Sequence, residues 1–157
     1  MLNAIEKWID STNERHTKQR VCCDVFVEKF AGYFPGSFLK HAYYVVVDEI
    51  PKPDFPELRA RGLGAFMDMQ VNGITYKNTY YLVPDAEPID RIHFHELVHV
   101  AQWSKLGAAG FISRYMNEIL TGGYSASLLE KMAYFLDKTY SNGGPVVNVL
   151  EYVENNL

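Results

Sequence analysis

Cysteine is scarce in this sequence, and the two that occur, Cys22 and Cys23, are adjacent. Neighbouring cysteines rarely bridge each other, because a disulfide needs a wider separation of its Cα atoms. Two thiols also cannot complete a cysteine-type zinc site. The chain therefore has no disulfide framework, which favours a reducing compartment.

Long hydrophobic runs and clusters of positive charge are absent too. The longest apolar run, residues 42–47 (AYYVVV), is far shorter than the roughly 20 residues of a transmembrane helix. Residues 1–16 are charged and amphipathic and lack the apolar centre of a signal peptide. The net charge of -4 argues against nucleic-acid binding, which needs a basic surface. We therefore expect a cytoplasmic protein with no membrane span and no nucleic-acid partner.

The first half of the chain predicts a helical segment followed by a small sheet. No repeat or linker divides the sequence, and its length suits one domain over residues 1–157. Residues 1–36 carry apolar side chains at helical spacing and end at a Pro-Gly pair. Residues 41–83 read as a buried strand, a proline-rich loop and a hairpin with an Asn-Gly turn at 72–73.

The second half predicts helices. Residues 90–140 hold three amphipathic segments; we expect Asp90 to be the N-cap of the first and Gly107 to end it. The tail, residues 145–157, is expected to add one short element. Strands followed by helices indicate an α+β fold, with a three-stranded mixed sheet packed on the helices.

The segment RIHFHELVHVAQW, residues 91–103, places polar residues in an apolar helix. His95 and His99 are four residues apart, so their rings project from one helical face on successive turns and can reach one ion. The apolar residues Phe94, Leu97, Val98 and Ala101 form a separate stripe that is predicted to face the core, and His93 points away from the pair. The alternative interpretation is a buried helix with two hydrogen-bonded histidines.

His95, Glu96 and His99 complete an H-E-x-x-H motif. Zinc held by three protein ligands keeps a water and lowers its pKa to about 7. A carboxylate beside that water can take its proton and pass it to a leaving amine. The motif therefore predicts His95 and His99 as zinc ligands and Glu96 as a general base.

The third ligand is expected to be a carboxylate, because no histidine follows His99. Two interpretations stay open for Glu130, which begins a strongly apolar helix. It can ligate the metal, or it can form an S-x-x-E capping box with Ser127, in which its carboxylate returns to the N-cap amide. The carboxylates available downstream of the motif are Glu118, Glu130, Asp137, Glu151 and Glu154.

H-E-x-x-H followed by a glutamate on a later helix resembles the gluzincin branch of the zincin metallopeptidases. The string HELVHVAQW is also similar to a group of small bacterial peptidase-like proteins with H-E-L-x-H-V-x-Q. This resemblance implies zinc ligation by His95, His99 and Glu130, with Glu96 as general base. Where several gluzincins have E-x-x-A-D, residues 130–134 read EKMAY, so Tyr134 replaces the Asp that supports a ligand histidine.

The resemblance also implies how a substrate binds. Gluzincins hold an extended peptide beside an edge strand above the motif helix, and residues 65–71 are the candidate edge, with an ordinary hairpin strand as the alternative. Tyr124 can donate to a tetrahedral oxyanion or simply pack. The tail, residues 145–157, is a candidate cover for an open cleft.

The leading hypothesis is a zinc metallopeptidase that acts on a peptide or protein. The alternative is a latent or non-catalytic zinc-binding domain with a structural or partner-binding role; a domain of an assembly or toxin-delivery system that inherited the motif is a third. Glu96 favours catalysis, because a structural zinc site needs no general base and closes with four protein ligands. The sequence carries no signal for an oligomeric state.

Overall fold

The computed structural model describes all 157 residues and has an α+β fold. One mixed sheet packs against a long helix that carries the H-E-x-x-H motif, and further helices surround both. The strands are β1 (Val21–Cys22), β2 (Tyr43–Val46), β3 (Gly73–Tyr76) and β4 (Thr79–Leu82). The helices are α1 (Leu2–Arg15), α2 (Gly36–Leu39), α3 (Pro56–Leu58), α4 (Gly64–Asp68), α5 (Asp90–Gly122), α6 (Leu128–Ser141) and α7 (Val149–Asn156).

The sheet has four strands in the order β1-β2-β4-β3, so the prediction of three strands was wrong. β2 and β4 run parallel, whereas β1 and β3 pair antiparallel with their neighbours. The additional strand, β1, is two residues long and lies within residues 1–36, which were predicted to be helical. A strand of two residues is too short for a periodic pattern, and its pairing with Tyr43 and Tyr44 is a long-range contact.

The hairpin is displaced from its predicted position. Its turn is Lys77-Asn78 rather than the Asn-Gly pair at 72–73, and Lys77 adopts a left-handed φ of 60°. That conformation suits a two-residue hairpin turn, in which positive φ matches the twist of the strands. The ammonium of Lys77 also pairs with Glu6 and Asp10 of α1, at 2.8 and 2.7 Å, which holds the turn against the N-terminal helix.

Residues 65–71, predicted as an edge strand, instead form most of the short helix α4 and the irregular segment after it. The edge strand of the sheet next to α5 is β3, which begins at Gly73. A Cβ at Gly73 would lie 2.8 Å from a Leu82 methyl carbon and 3.3 Å from the Glu96 carboxyl carbon. Glycine therefore allows β3 to approach the motif helix closely.

The helical boundaries in the second half largely follow the prediction. Gly107 interrupts α5 with φ 71° and ψ 169°, so the helix changes direction at the residue where the sequence predicted its end. Asp90 is the first residue of α5 and not its N-cap, which is Ile89; the Asp90 carboxylate pairs with Lys29 at 3.0 Å instead. No helix combines the length and the apolar character that crossing a membrane requires.

The predicted stripe of the motif helix is buried in the larger of two hydrophobic clusters. Phe94 and Leu97 are fully buried there among aromatic side chains such as Phe30 and Phe34. The C-terminal helix α7 inserts Val153 into the same cluster. Burial of each such side chain stabilises the fold by about 1.5–3 kcal/mol, so the core fixes the orientation of α5 and leaves its polar face toward α6 and β3.

Candidate metal centre

The side chains of His95, His99 and Glu130 meet between the motif helix α5 and helix α6. All three residues are buried, with 7, 4 and 4% of their surfaces exposed. One possible ligand atom from each lies within 4.8 Å of the other two. The structure thus brings together the three residues that the sequence and its resemblance singled out, and this group can hold a metal ion.

The distances within this group suit a tetrahedral ion. Nε2 of His95 lies 3.1 Å from Oε1 of Glu130, and Nε2 of His99 lies 3.2 Å from the same oxygen. Two ligand atoms of one tetrahedral ion, each bonded at about 2.0–2.1 Å, lie about 3.3 Å apart. The two nitrogen-to-oxygen distances are therefore close to those between ligand atoms of one tetrahedral ion.

Both histidine rings are oriented with Nε2 toward Oε1 of Glu130. Nδ1 of His95 donates to Oδ2 of Asp137 at 2.7 Å, and Nδ1 of His99 donates to Oε1 of Gln102 at 2.7 Å. An acceptor at Nδ1 keeps the proton there and leaves the Nε2 lone pair for a metal. The Gln102 amide group in turn donates to the carbonyl of Leu129, which fixes its orientation.

Neither supporting residue was assigned this role from the sequence. Asp137 was considered only as a possible third ligand, and Gln102 was only part of the quoted string. The spacing does contain a signal: Asp137 follows Glu130 by seven residues, which places both on one face of α6 two turns apart. Asp137 lies one turn after Tyr134 on α6; the Tyr134 ring lies 4.4 Å from the His95 ring, centroid to centroid.

The capping-box interpretation of Glu130 is half correct. The Ser127 hydroxyl accepts a hydrogen bond from the Glu130 amide at 3.2 Å, which is the N-cap contact of α6. The reciprocal contact is absent, because the Ser127 amide donates to the carbonyl of Tyr124. The Glu130 carboxylate is therefore free to face the histidines.

Glu118, another candidate third ligand, serves the start of α6. Its Oε1 accepts hydrogen bonds from the Ser127 hydroxyl at 2.7 Å and from the Leu129 amide at 3.1 Å. Arg114 donates to its other oxygen at 2.9 Å. Glu118 is thus a helix-capping residue and lies outside the group that can hold a metal.

Two phenols support the carboxylate of Glu130. Tyr115 donates to Oε2 at 2.6 Å, and Tyr124 donates to Oε1 at 3.0 Å. The sequence left both an oxyanion-binding role and a packing role open for Tyr124; in the structure its hydroxyl contacts Glu130. Tyr115 was missed, because its contact depends on the bend of α5 at Gly107.

Glu96 lies beside the metal-binding group and is not part of it. Its Oε1 accepts a hydrogen bond from the Thr75 hydroxyl of β3 at 2.9 Å, and its Oε2 lies 3.9 Å from Nε2 of His95. Burial raises the pKa of Glu96, which makes this carboxylate a stronger proton acceptor than an exposed one. One oxygen is thus held by the sheet while the other faces the histidine pair.

Opposite charges govern the protonation of the three possible ligands. Burial lowers the pKa of His95, but its hydrogen bonds to Asp137 and Glu130 outweigh this effect and raise the pKa to about 10. Burial likewise disfavours the ionised form of Glu130, yet the charge of His99 and the hydrogen bond from His95 hold its pKa well below its ordinary range. Without a metal, the arrangement therefore stabilises protonated rings around an ionised carboxylate.

His93 is separate from this group, as the helical spacing predicts. Its Nδ1 accepts from the Tyr80 hydroxyl and its Nε2 donates to the Glu87 carbonyl, each at 2.7 Å. Burial lowers the pKa of His93, so its ring stays neutral in the core.

Two pockets adjoin the centre. The apolar pocket, of about 90 Å³, is lined mainly by hydrophobic side chains, among them Ile9, Leu63, Trp103, Phe111 and Met116. The polar pocket, of about 210 Å³, is lined by residues that include Gln70, Arg91, His95, Tyr134 and Asp137. Residues 145–157, the candidate cover of the cleft, line neither pocket.

The centre can thus bind a metal through two imidazole nitrogens and a carboxylate oxygen, with a further carboxylate beside it. No protein-family model, no curated protein and no solved structure matches the chain.

Proposed function

We propose that this chain is a zinc metallopeptidase of the gluzincin type, in which His95, His99 and Glu130 bind zinc. The observation that carries the proposal is the approach of two imidazole Nε2 atoms to one carboxylate oxygen, at 3.1 and 3.2 Å. Glu96, the buried carboxylate beside this group, is the general base. The supported Nδ1 atoms of both rings favour the same assignment, since ligand histidines ordinarily donate from the nitrogen that does not bind the metal.

The donor set favours zinc over magnesium and calcium. Two imidazoles and one carboxylate match the ligands of catalytic zinc sites, whereas magnesium and calcium prefer oxygen alone. When bound by three protein ligands, zinc supplies a Lewis acid that polarises the substrate carbonyl and acidifies a water molecule.

The chain's own residues would carry the proton. The hydrogen bond from Thr75 at 2.9 Å holds one oxygen of Glu96 and directs the other toward the centre. Glu96 would accept the proton of the attacking water and deliver it to the nitrogen of the breaking peptide bond. Its burial suits this role, because a carboxylate with a raised pKa releases and takes up a proton nearer to neutral pH.

One observation favours a latent zinc-binding domain as the second candidate. The Tyr124 hydroxyl lies 3.0 Å from the Glu130 oxygen that faces both histidines, so it is close enough to occupy the position that a substrate needs. If the domain is latent in this way, Tyr124→Phe will raise peptide hydrolysis; if the chain is an active peptidase, that variant will not exceed the wild type.

The proposal is tested by peptide hydrolysis with zinc-loaded protein. We expect labelled casein to be cleaved, a chelator to stop cleavage, and zinc to restore it. Glu96→Gln should retain zinc and lose about 10²–10⁴-fold in kcat. Glu28→Gln, which removes an exposed carboxylate that lines neither pocket, is the matched control. Cleavage by zinc-loaded Glu96→Gln at the wild-type rate would contradict the proposal.

A further inference from the structure

The apolar and polar pockets meet at the proposed general base. Glu96, Gly73 and Tyr124 line both pockets, so the two pockets adjoin at these residues. A ligand that crosses the centre therefore meets hydrophobic side chains on one side and polar side chains on the other. This asymmetry can select a substrate.

Arg91 is the one Lys or Arg side chain that lines either pocket. Its Nη1 donates to Oδ1 of Asp137 at 3.4 Å, and its remaining N–H groups have no acceptor within the chain. The Arg91 side chain is 48% exposed, whereas that of Asp137 is 2% exposed. The guanidinium is thus anchored at one nitrogen and presents its other N–H groups to the polar pocket.

The position of Arg91 places those N–H groups near the reacting bond. Arg91 precedes His95 by four residues on α5, a rise of about 6 Å along the helix. Asp137 contacts both residues, at 3.4 Å from Arg91 and 2.7 Å from His95. A residue of an extended peptide spans about 3.3–3.6 Å. The guanidinium is therefore within reach of a side chain adjacent to the bond held at the centre.

We propose, on the basis of the function proposed above, that Arg91 is a specificity-determining residue that binds a substrate carboxylate. The preferred substrate is a peptide with an acidic side chain on one side of the scissile bond and a large apolar side chain on the other. A guanidinium with unused N–H groups can bind a carboxylate through two parallel hydrogen bonds. The apolar side chain enters the pocket that contains Trp103 and Phe111.

A purely supporting role for Arg91 predicts a different result. If Arg91 only held Asp137 in place, removing it would weaken the centre for every ligand to the same degree. A carboxylate-binding role predicts a loss confined to ligands that carry the negative charge. Matched pairs of charged and neutral ligands separate the two.

The first test uses small ligands that need no hydrolysis. Glutaric monohydroxamate and its primary amide share a metal-chelating group and differ in the charge of the other end. Zinc-loaded wild-type protein is expected to bind the acid about threefold to tenfold more tightly than the amide, since one partner is half exposed. Arg91→Gln should bind the acid and the amide equally.

Lys29→Gln is the matched control. The Lys29 side chain is also 48% exposed, pairs with Asp90 next to Arg91, and lines neither pocket. It should keep the wild-type preference for the acid. An equal affinity of the wild type for both hydroxamates, or an equal loss of preference in Lys29→Gln, overturns the role of Arg91. Failure of both hydroxamates to bind any zinc-loaded protein contradicts the metal centre itself.

The second test uses turnover. Ac-Ala-Glu-Phe-Ala-NH2 and the reversed order Ac-Ala-Phe-Glu-Ala-NH2 are compared with peptides in which Gln replaces Glu. In one of the two orders, kcat/KM should be about threefold to tenfold higher for the Glu peptide, and Arg91→Gln should abolish this ratio while still cleaving the Gln peptide. Cleavage by the wild type without a preference for Glu in either order overturns the proposal and leaves the peptidase assignment intact.

Discussion

The carboxylate of Asp137 lies 2.7 Å from Nδ1 of His95, and this hydrogen bond joins α6 to the motif helix. Glu130 contacts the opposite nitrogen of the same ring from two turns earlier on α6. One helix therefore supplies both a candidate ligand and the residue that orients a second ligand. The centre depends on how α5 and α6 pack, and not on the motif alone.

Asp137→Asn is expected to weaken zinc binding about 10–100-fold, because outer partners of ligand histidines contribute to metal affinity by this amount. The substitution preserves the shape of the side chain and removes the charge that faces the Nδ1 proton. Zinc affinity is measured by competition with a chromophoric chelator. Asp85→Asn, on the surface before α5, is the control and should match the wild type. An unchanged affinity in Asp137→Asn would show that this hydrogen bond does not support the metal.

Gly73→Ala is expected to destabilise the fold and to displace the Glu96 carboxylate. The new Cβ would lie 2.8 Å from a Leu82 methyl carbon and 3.2 Å from the Tyr81 carbonyl oxygen, so β3 must move. Such overpacking lowers the free energy of unfolding by about 1–3 kcal/mol. Gly110→Ala is the contrasting variant: a Cβ there makes an ordinary contact of 3.4 Å, and alanine in a helix stabilises by about 0.5–1 kcal/mol. Urea unfolding of both variants measures the effect; equal stabilities would contradict the close approach of β3.

Zinc affinity is expected to rise with pH. In the metal-free protein His95 has a pKa of about 10, raised by Asp137 and Glu130 against the effect of burial, so a bound ion must displace a proton from this ring. For one displaced proton the affinity increases about tenfold per pH unit below that pKa. Competition titrations at several pH values, with calorimetry in buffers of different ionisation enthalpy, measure the slope and the protons released. An affinity that does not change with pH would contradict the account.

The raised pKa of His95 also predicts how the stability of the metal-free protein depends on pH. The pKa of His95 in the folded state is raised above its ordinary value of 6.5, so its contribution to stability is fully present below about pH 6.5 and is lost as the pH rises toward 10. A metal replaces the proton and removes this dependence. Chelated and zinc-loaded samples should therefore differ most in melting temperature at alkaline pH.

The sequence predicted those parts of the centre that depend on short-range geometry. His95 and His99 share a helical face because they are four residues apart, and the Ser127 cap and the break at Gly107 follow from local backbone preferences. The separation of His93 from the pair follows from the same helical spacing.

The parts that sequence reasoning missed depend on long-range contacts. β1 exists because it pairs with β2, and its two residues carry no pattern of their own. The turn at Lys77-Asn78 competes with the Asn-Gly pair, and the contacts of Lys77 with α1 favour the former. The incomplete capping box at Glu130 also depends on long-range contacts, because Glu118, from the part of α5 after Gly107, accepts hydrogen bonds at the start of α6.

The measurement that tests the central claim most directly is the zinc content of purified, dialysed protein and of two glutamate variants. The account predicts one zinc per chain in the wild type and none in Glu130→Ala. Glu118→Ala should retain zinc and lose about 1 kcal/mol of unfolding free energy, because it removes only a helix cap. A wild-type chain that holds no zinc, or zinc that is retained in Glu130→Ala and lost in Glu118→Ala, would contradict it.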